Sequence, residues 1–148
     1  MRRIAQLRYL ADVNVLLALC VGGHTHHGIV KEWLEGKGGV GEVVVCRVAQ
    51  LGLARLLSNR AVMGESVLEL ERAWQFGLRL LDDERFAFGR EGSGIEGLLA
   101  EYLHGRKVSQ SVWTDAYLAA FARSAGLGLV SLDRGFLGYE GLRCELLG

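Results

Sequence analysis

Proline is absent from the sequence, and without it the chain must turn by other means. Glycine, with 21 of 148 residues, is left to make most of the turns. Its clusters GKGGVG (36–41) and GREGSG (89–94) read as loops. Cysteine is scarce and odd in number. Cys20, Cys46 and Cys144 lie far apart, each among apolar neighbours, which excludes a disulfide framework and points to small buried hydrophobes in a reducing cytoplasm. An excess of either charge is also missing: 17 basic residues balance 17 acidic ones. The chain as a whole is no magnet for polyanions, so any nucleic-acid contact must come from a local patch. No uninterrupted apolar run reaches the ~18 residues that a membrane helix needs. The opening MRRIAQLRYL is basic but has neither a long apolar stretch nor a small-residue cleavage site, so export is not expected.

What is present is a core. Half of the residues are hydrophobic and 23% are charged, a balance that excludes disorder. The length suits one domain over residues 1–148, with no repeat and no composition shift to mark a second.

Short apolar runs alternate with helical periods. LRYLA (7–11), VVVC (43–46), FAF (86–88), LGLVSL (127–132) and LRCELL (142–147) read as strands, the last as a half-exposed edge. A helix is expected from Asp12 to about Cys20. A second, capped by Thr25, should run to about Leu34 and bury Ile29, Val30, Trp33 and Leu34. Val48, Leu51, Ala54 and Leu57 keep helical spacing. Ser66 with Glu69 and Ser93 with Glu96 read as capping boxes. The first precedes a stripe of Val67, Leu70, Trp74, Leu78 and Leu81, the second one of Ile95, Leu98, Leu99, Tyr102 and Leu103. A helix near 112–125 should bury Ala116, Tyr117, Ala120 and Phe121 and end at Gly126. Strands separated by helices predict a three-layer α/β/α sandwich with a mainly parallel central sheet.

In such a sheet the strand C-termini and the helix N-termini share one rim. Asp12 ends the first strand, Gln50 lies in the first turn after the second, Asp115 opens the helix before the fourth, and Asp133 follows the fourth. A lone acid at a rim is most often a helix cap. Three acids from three segments repel one another when packed closely, and a hard divalent cation relieves that repulsion.

DVNVLLAL (12–19), His24 and His27 before Trp33, QLGLARLLSN (50–59), TDAYLAAFA (114–122) and LVSLDRGF (129–136) together resemble the PIN-domain ribonucleases, most closely the VapC toxins of bacterial toxin–antitoxin pairs. The likeness runs in order over nearly the whole chain. It implies a cytoplasmic endoribonuclease that cleaves RNA with Mg2+ or Mn2+, with transfer or ribosomal RNA as the expected target. It also implies a cognate antitoxin and a homodimer. Asp12, Asp115 and Asp133 match the metal-binding acids of the family, and Asn14 matches the residue that supports the first acid by hydrogen bonding. Where many members carry a glutamate, this chain has Gln50, which leaves three acids and favours one metal over two. Asn14 and Ser131 would steady the acids. Arg47, Arg55, Arg60 and Arg134 are candidate phosphate contacts.

Other residues take blander readings. HTHH lacks nearby soft ligands for zinc, so His24 and His27 are expected to cap or pack at the start of the second helix. Trp33, Trp74 and Trp113 are expected in the core or at an interface, although Trp113 could stack on a base. Glu42 precedes VVVC and falls at the wrong end of its strand to replace the missing acid. A phosphoaspartate phosphatase would need a second aspartate where Asn14 stands and a distal lysine, for which only Lys107 is available. A non-catalytic PIN-like module that binds RNA or protein is the remaining alternative.

Overall fold

A computed structural model describes residues 7–37 and 39–148. The first six residues of the basic opening and Gly38 of the first glycine cluster lie outside the described residues.

The chain begins with strand β1 (Tyr9–Ala11), followed by helices α1 (Val13–Cys20) and α2 (His27–Lys37). Strand β2 (Val43–Val45) leads into α3 (Arg47–Leu57), the single turn α4 (Arg60–Met63) and α5 (Leu70–Arg79). Strand β3 (Phe86–Phe88), α6 (Ile95–Leu103), α7 (Val112–Ser124), β4 (Gly128–Ser131) and β5 (Cys144–Leu146) complete it. The five strands form one parallel sheet in the order β3-β2-β1-β4-β5. Leu10 sits level with Val44 on one side and Leu129 on the other.

Strands flanked on both faces are apolar without alternation. Accordingly Leu10, Ala11, Val43, Val44, Val45, Leu129 and Val130 are all buried. α1 packs on α2 and α3, and α3 on α5, while α6 packs on α7. The chain walks outward from β1 through β2 to β3, then returns to place β4 on the other side of β1. Right-handed crossovers in opposite directions put those two helix groups on opposite faces. The reversal falls between β1 and β4, where open α/β sheets leave a crevice at the strand C-termini.

Several local expectations need correction. Thr25 makes no cap: α2 begins at His27, where the His27 Nδ1 lies 2.7 Å from the Ala18 carbonyl and ties the helix start to the end of α1. Ile29 on α2 is exposed while Val30 and Leu34 are buried. Neither capping box forms. Ser66 closes a separate 3₁₀ turn and α5 is capped by Glu69 without a side-chain bond, while α6 is capped by Gly94 at φ +84°, a left-handed conformation open to glycine. On α5 the buried residues are Ala73 and Gly77, one turn apart. These small residues let α5 approach α3 closely; of the expected stripe, Leu70 and Leu78 are exposed, Leu70 at 80%, while Val67, Trp74 and Leu81 are half-buried. Among the described residues no helix is long and apolar enough to cross a membrane.

Candidate active-site cleft

Asp12 leaves β1 in an extended conformation and caps α1, its Oδ1 accepting from the Val13 N–H at 2.7 Å. Its Oδ2 accepts from the Ser131 hydroxyl, also at 2.7 Å. The Ser131 oxygen in turn accepts from the Asp133 N–H at 2.9 Å. Asp133 caps the 3₁₀ turn that follows β4, accepting from the Gly135 N–H at 2.8 Å. The Asn14 side-chain oxygen accepts from the Leu132 N–H at 3.3 Å. Asn14 therefore bonds to the strand β4 exit, and Asp12 is supported by Ser131 instead. Asp115 stands in the first turn of α7, whose Asp115 N–H bonds back to the Ser111 carbonyl.

These segments enclose a cleft of about 830 Å³. Asp12, Asn14, Asp115 and Asp133 all line it. Gln110, Ser111 and Thr114 share the α7 side. The facing wall is α3 and its end, with Val48, Leu51, Gly52, Arg55, Leu56 and Asn59. That spacing marks one helical face of α3, whose helical period is as the sequence predicts. Leu51 belongs to the cleft face and is exposed, whereas the core face is Ala49, Leu53 and Leu57.

The electrostatics are those of crowded carboxylates. Asp12 is 6% exposed. Burial pushes its carboxyl up to about 6, with Asp115 and Asp133 pushing the same way and the bonds from Ser131 and Val13 pulling it down. Asp115 is raised as well, first by burial and then by Asp133, against the lowering effect of Ser111 and Arg106. The three acids thus share one field. They are not drawn onto a common point: among the described residues no three His, Cys, Asp or Glu side chains form a metal-holding group. In donor chemistry the set still fits a hard cation, since each acid offers carboxylate oxygen and Asp12 has used only one acceptor direction on each oxygen.

Gln50 is not part of this wall. It is buried, and its Oε1 accepts from Arg47 at 2.8 Å. Arg47 itself lies 4.8 Å over the Phe88 ring and 5.8 Å from that of Trp74, and it does not line the cleft. Of the four candidate phosphate contacts only Arg55 lines the cleft. Glu42 lines a separate hollow with Tyr9 and Glu35, far from the acids at the opposite ends of the strands. Trp33 is half-buried and meets Tyr9 edge-on at 5.5 Å. Trp113 departs from expectation: it is 67% exposed. The sequence reading missed Arg106, whose charge acts on Asp115 and whose guanidinium lies 3.6 Å from the Tyr139 ring centroid. A lone arginine in a polar loop carries no signal that would single it out.

A family model described as "PIN domain" matches residues 9–142. Ribonuclease VapC41 of Mycobacterium tuberculosis is 38% identical over 142 residues, spanning 93% of this chain and 97% of that protein. Among solved structures, VapBC2 of Rickettsia felis bound to a promoter DNA fragment superposes with a TM-score of 0.69 at 14% identity, covering 96% of this chain and 100% of that one. VapC20 of Mycobacterium tuberculosis, described as a Sarcin-Ricin loop cleaving toxin, superposes with a TM-score of 0.64 at 20% identity, covering 91% and 98%. These two structural likenesses show a shared fold.

Proposed function

This chain belongs to the PIN domain family, and from that premise we propose that it is the toxin of a type II toxin–antitoxin pair, an endoribonuclease that inhibits translation by hydrolysing transfer or ribosomal RNA. One observation carries the reading: Asp12, Asp115 and Asp133, from three separate segments, line a single cleft at the reversal of the sheet.

Asp12, Asp115 and Asp133 would hold one Mg2+ or Mn2+. When bound, that ion supplies the charge that neutralises a scissile phosphate and acidifies a water. The protein's own residues do the rest. Ser131 fixes the Asp12 carboxylate and, through the Asp133 N–H, the segment that carries the third acid. Asn14 fastens the β4 exit to α1. Arg55, on the facing wall, supplies a cation for a neighbouring phosphate. The cognate antitoxin and a second copy of the chain are the expected protein partners, and the cytoplasm is the expected place of action.

The purified chain with single-stranded RNA tests this. Cleavage is expected with Mg2+ or Mn2+ and none with EDTA. Asp12→Asn and Asp115→Asn should each lower the rate at least ~100-fold, the loss of several kcal/mol of charge stabilisation at the reacting centre. Cleavage that survives both substitutions overturns the site. One observation favours a second reading, a PIN-like module that binds RNA without cutting it: the three acids are not gathered around one point. RNA binding without cleavage under any divalent metal would decide for that reading.

A further inference from the structure

The last carbonyls of a helix have no N–H partner within it. At the end of α6 an arginine meets one of them. Arg106 donates from Nε to the Tyr102 carbonyl at 2.6 Å. Its Nη2 reaches across to the Gly138 carbonyl at 3.1 Å. Its guanidinium carbon lies 3.6 Å from the Tyr139 ring centroid. Such a hold suits a flat fork whose donors diverge and whose face stacks, and a lysine cannot copy it. Gly138 closes the 3₁₀ turn that Asp133 caps. Tyr102 pins the chain just beyond, its hydroxyl donating to the Glu140 carbonyl at 2.6 Å. Tyr102 and Tyr139 are both 6% exposed, so this junction is closely packed. The turn is therefore held at both ends. Ser131 fixes its start through the Asp133 N–H, and Arg106 fixes its finish.

The other side of the junction leads to Asp115. Arg106 lies in the connection from α6 to α7, and the first turn of α7 carries Asp115. Burial raises the Asp115 carboxyl, and Arg106 is among the groups that pull it back. Burial also raises the Tyr139 hydroxyl, which Arg106 pulls down and Asp115 and Asp133 push up again. The stacked pair of Arg106 and Tyr139 thus stands in the field of two acids from different segments.

We propose that Arg106 is a positioning residue for Asp115 and Asp133: by bracing the finish of the Asp133 turn against the α6–α7 connection, it sets the spacing of the two carboxylates and with it their grip on a divalent ion. It acts through the two acids and not by contact with the reacting atoms. This rests on the metal-dependent reading of the cleft. Charge and geometry predict opposite signs. A fixed cation beside two acids repels an incoming metal ion, so a guanidinium that acted by charge alone would weaken metal binding, and its removal would tighten it. A brace does the reverse: without it the acids part and binding weakens.

The test titrates Mn2+ into the wild type, Arg106→Lys and Arg106→Met and follows the melting temperature. Arg106→Lys keeps the charge and loses the fork, while Arg106→Met loses both. Positioning predicts a half-maximal Mn2+ concentration about tenfold higher in each variant, the size of effect found when a residue that orients a metal ligand is removed. An unchanged Mn2+ response in Arg106→Lys overturns the proposal whatever Arg106→Met does, and it does so without touching the metal reading. Joined to a tighter response in Arg106→Met, it assigns Arg106 an effect of charge alone. Joined only to lower melting temperatures in EDTA, it makes Arg106 a structural tie. Should Arg106→Met fail to fold, Arg106→Lys decides by itself. If the wild type does not respond to Mn2+, the metal reading falls on its own, and amide hydrogen exchange in the metal-free protein decides on the brace. Exchange about tenfold faster over 133–139 in Arg106→Lys, with β4 unchanged, sustains the positioning of the Asp133 turn, whereas equal rates overturn it.

Discussion

The Ser131 hydroxyl donates to Asp12 Oδ2 at 2.7 Å, joining the ends of two adjacent strands across 119 positions of sequence. Both residues are buried, and the Ser131 oxygen is itself the acceptor for the Asp133 N–H. One hydroxyl therefore holds the two acid-bearing segments of β1 and β4 in register.

Ser131→Ala should remove both bonds. The Asp12 carboxyl, which Ser131 pulls down, will rise above its value of about 6. Leaving a buried acceptor and an N–H without their partner costs on the order of 1–3 kcal/mol. Urea denaturation near pH 7 should show the midpoint fall, and Ser131→Thr, which restores a hydroxyl, should recover most of it. Equal stability of Ser131→Ala and wild type would sink the assignment.

Asp12 should make the metal-free protein less stable as pH rises. Its carboxyl titrates near 6 when folded and near 3.8 when free. Between those values the folded chain holds a proton that the unfolded chain has released, so stability falls across about pH 4 to 6. The limit is ~3 kcal/mol, from roughly two pH units at 1.36 kcal/mol each. In EDTA, Asp12→Asn should flatten that decline and melt above wild type at pH 7. Adding Mn2+ should raise the wild-type melting temperature and leave that of Asp12→Asn unmoved. A wild-type melting curve indifferent to pH over this range, or to Mn2+, contradicts the expectation.

Gln50→Glu should not rebuild a fourth metal ligand. The Gln50 oxygen is already bonded to Arg47, and Gln50 does not line the acid cleft. A glutamate there would pair with the same guanidinium. Its charge would be spent on Arg47, so the Mn2+ concentration for half-maximal melting shift should change by no more than a factor of about three. A tighter response of tenfold or more would show the side chain turning into the cleft.

Much of this arrangement was legible in the chain. Period and apolarity are local signals, so the five strands, the parallel sheet and the rim positions of Asp12, Asp115 and Asp133 could be read from order and spacing. What failed was whatever depends on the partner surface. Leu51 and Leu70 are as apolar as any core residue, yet one lines the cleft and the other lies 80% exposed. Ala73 and Gly77 carry too little hydrophobicity to mark a buried face, although close helix approach selects them. Gln50 stood in the first turn where a rim residue belongs, and a bond to Arg47 three residues before it turned it aside. The two capping boxes had the right letters, but a separate turn at Ser66 and left-handed Gly94 moved the helix starts.

Gly52 should resist even alanine. It lies on the α3 wall where α1 crosses, and a Cβ there would come within 2.8 Å of Val13 Cγ2. Valine is stiff at χ1, so its methyl cannot swing clear without shifting α1. Alanine adds up to ~1 kcal/mol of helix propensity, but overpacking costs about 1–3 kcal/mol, and the clash should win by ~1 kcal/mol. For a chain of this size that lowers the melting temperature by roughly 2–4 °C. Because Val13 and Gly52 both line the cleft, the shift should also separate the α3 wall from Asp12 and depress RNA cleavage. Val13→Ala removes the offending methyl groups, so in a double-mutant cycle Gly52→Ala should cost less, or even stabilise, on the Val13→Ala background. Strictly additive effects would mean that the two helices do not meet at this point.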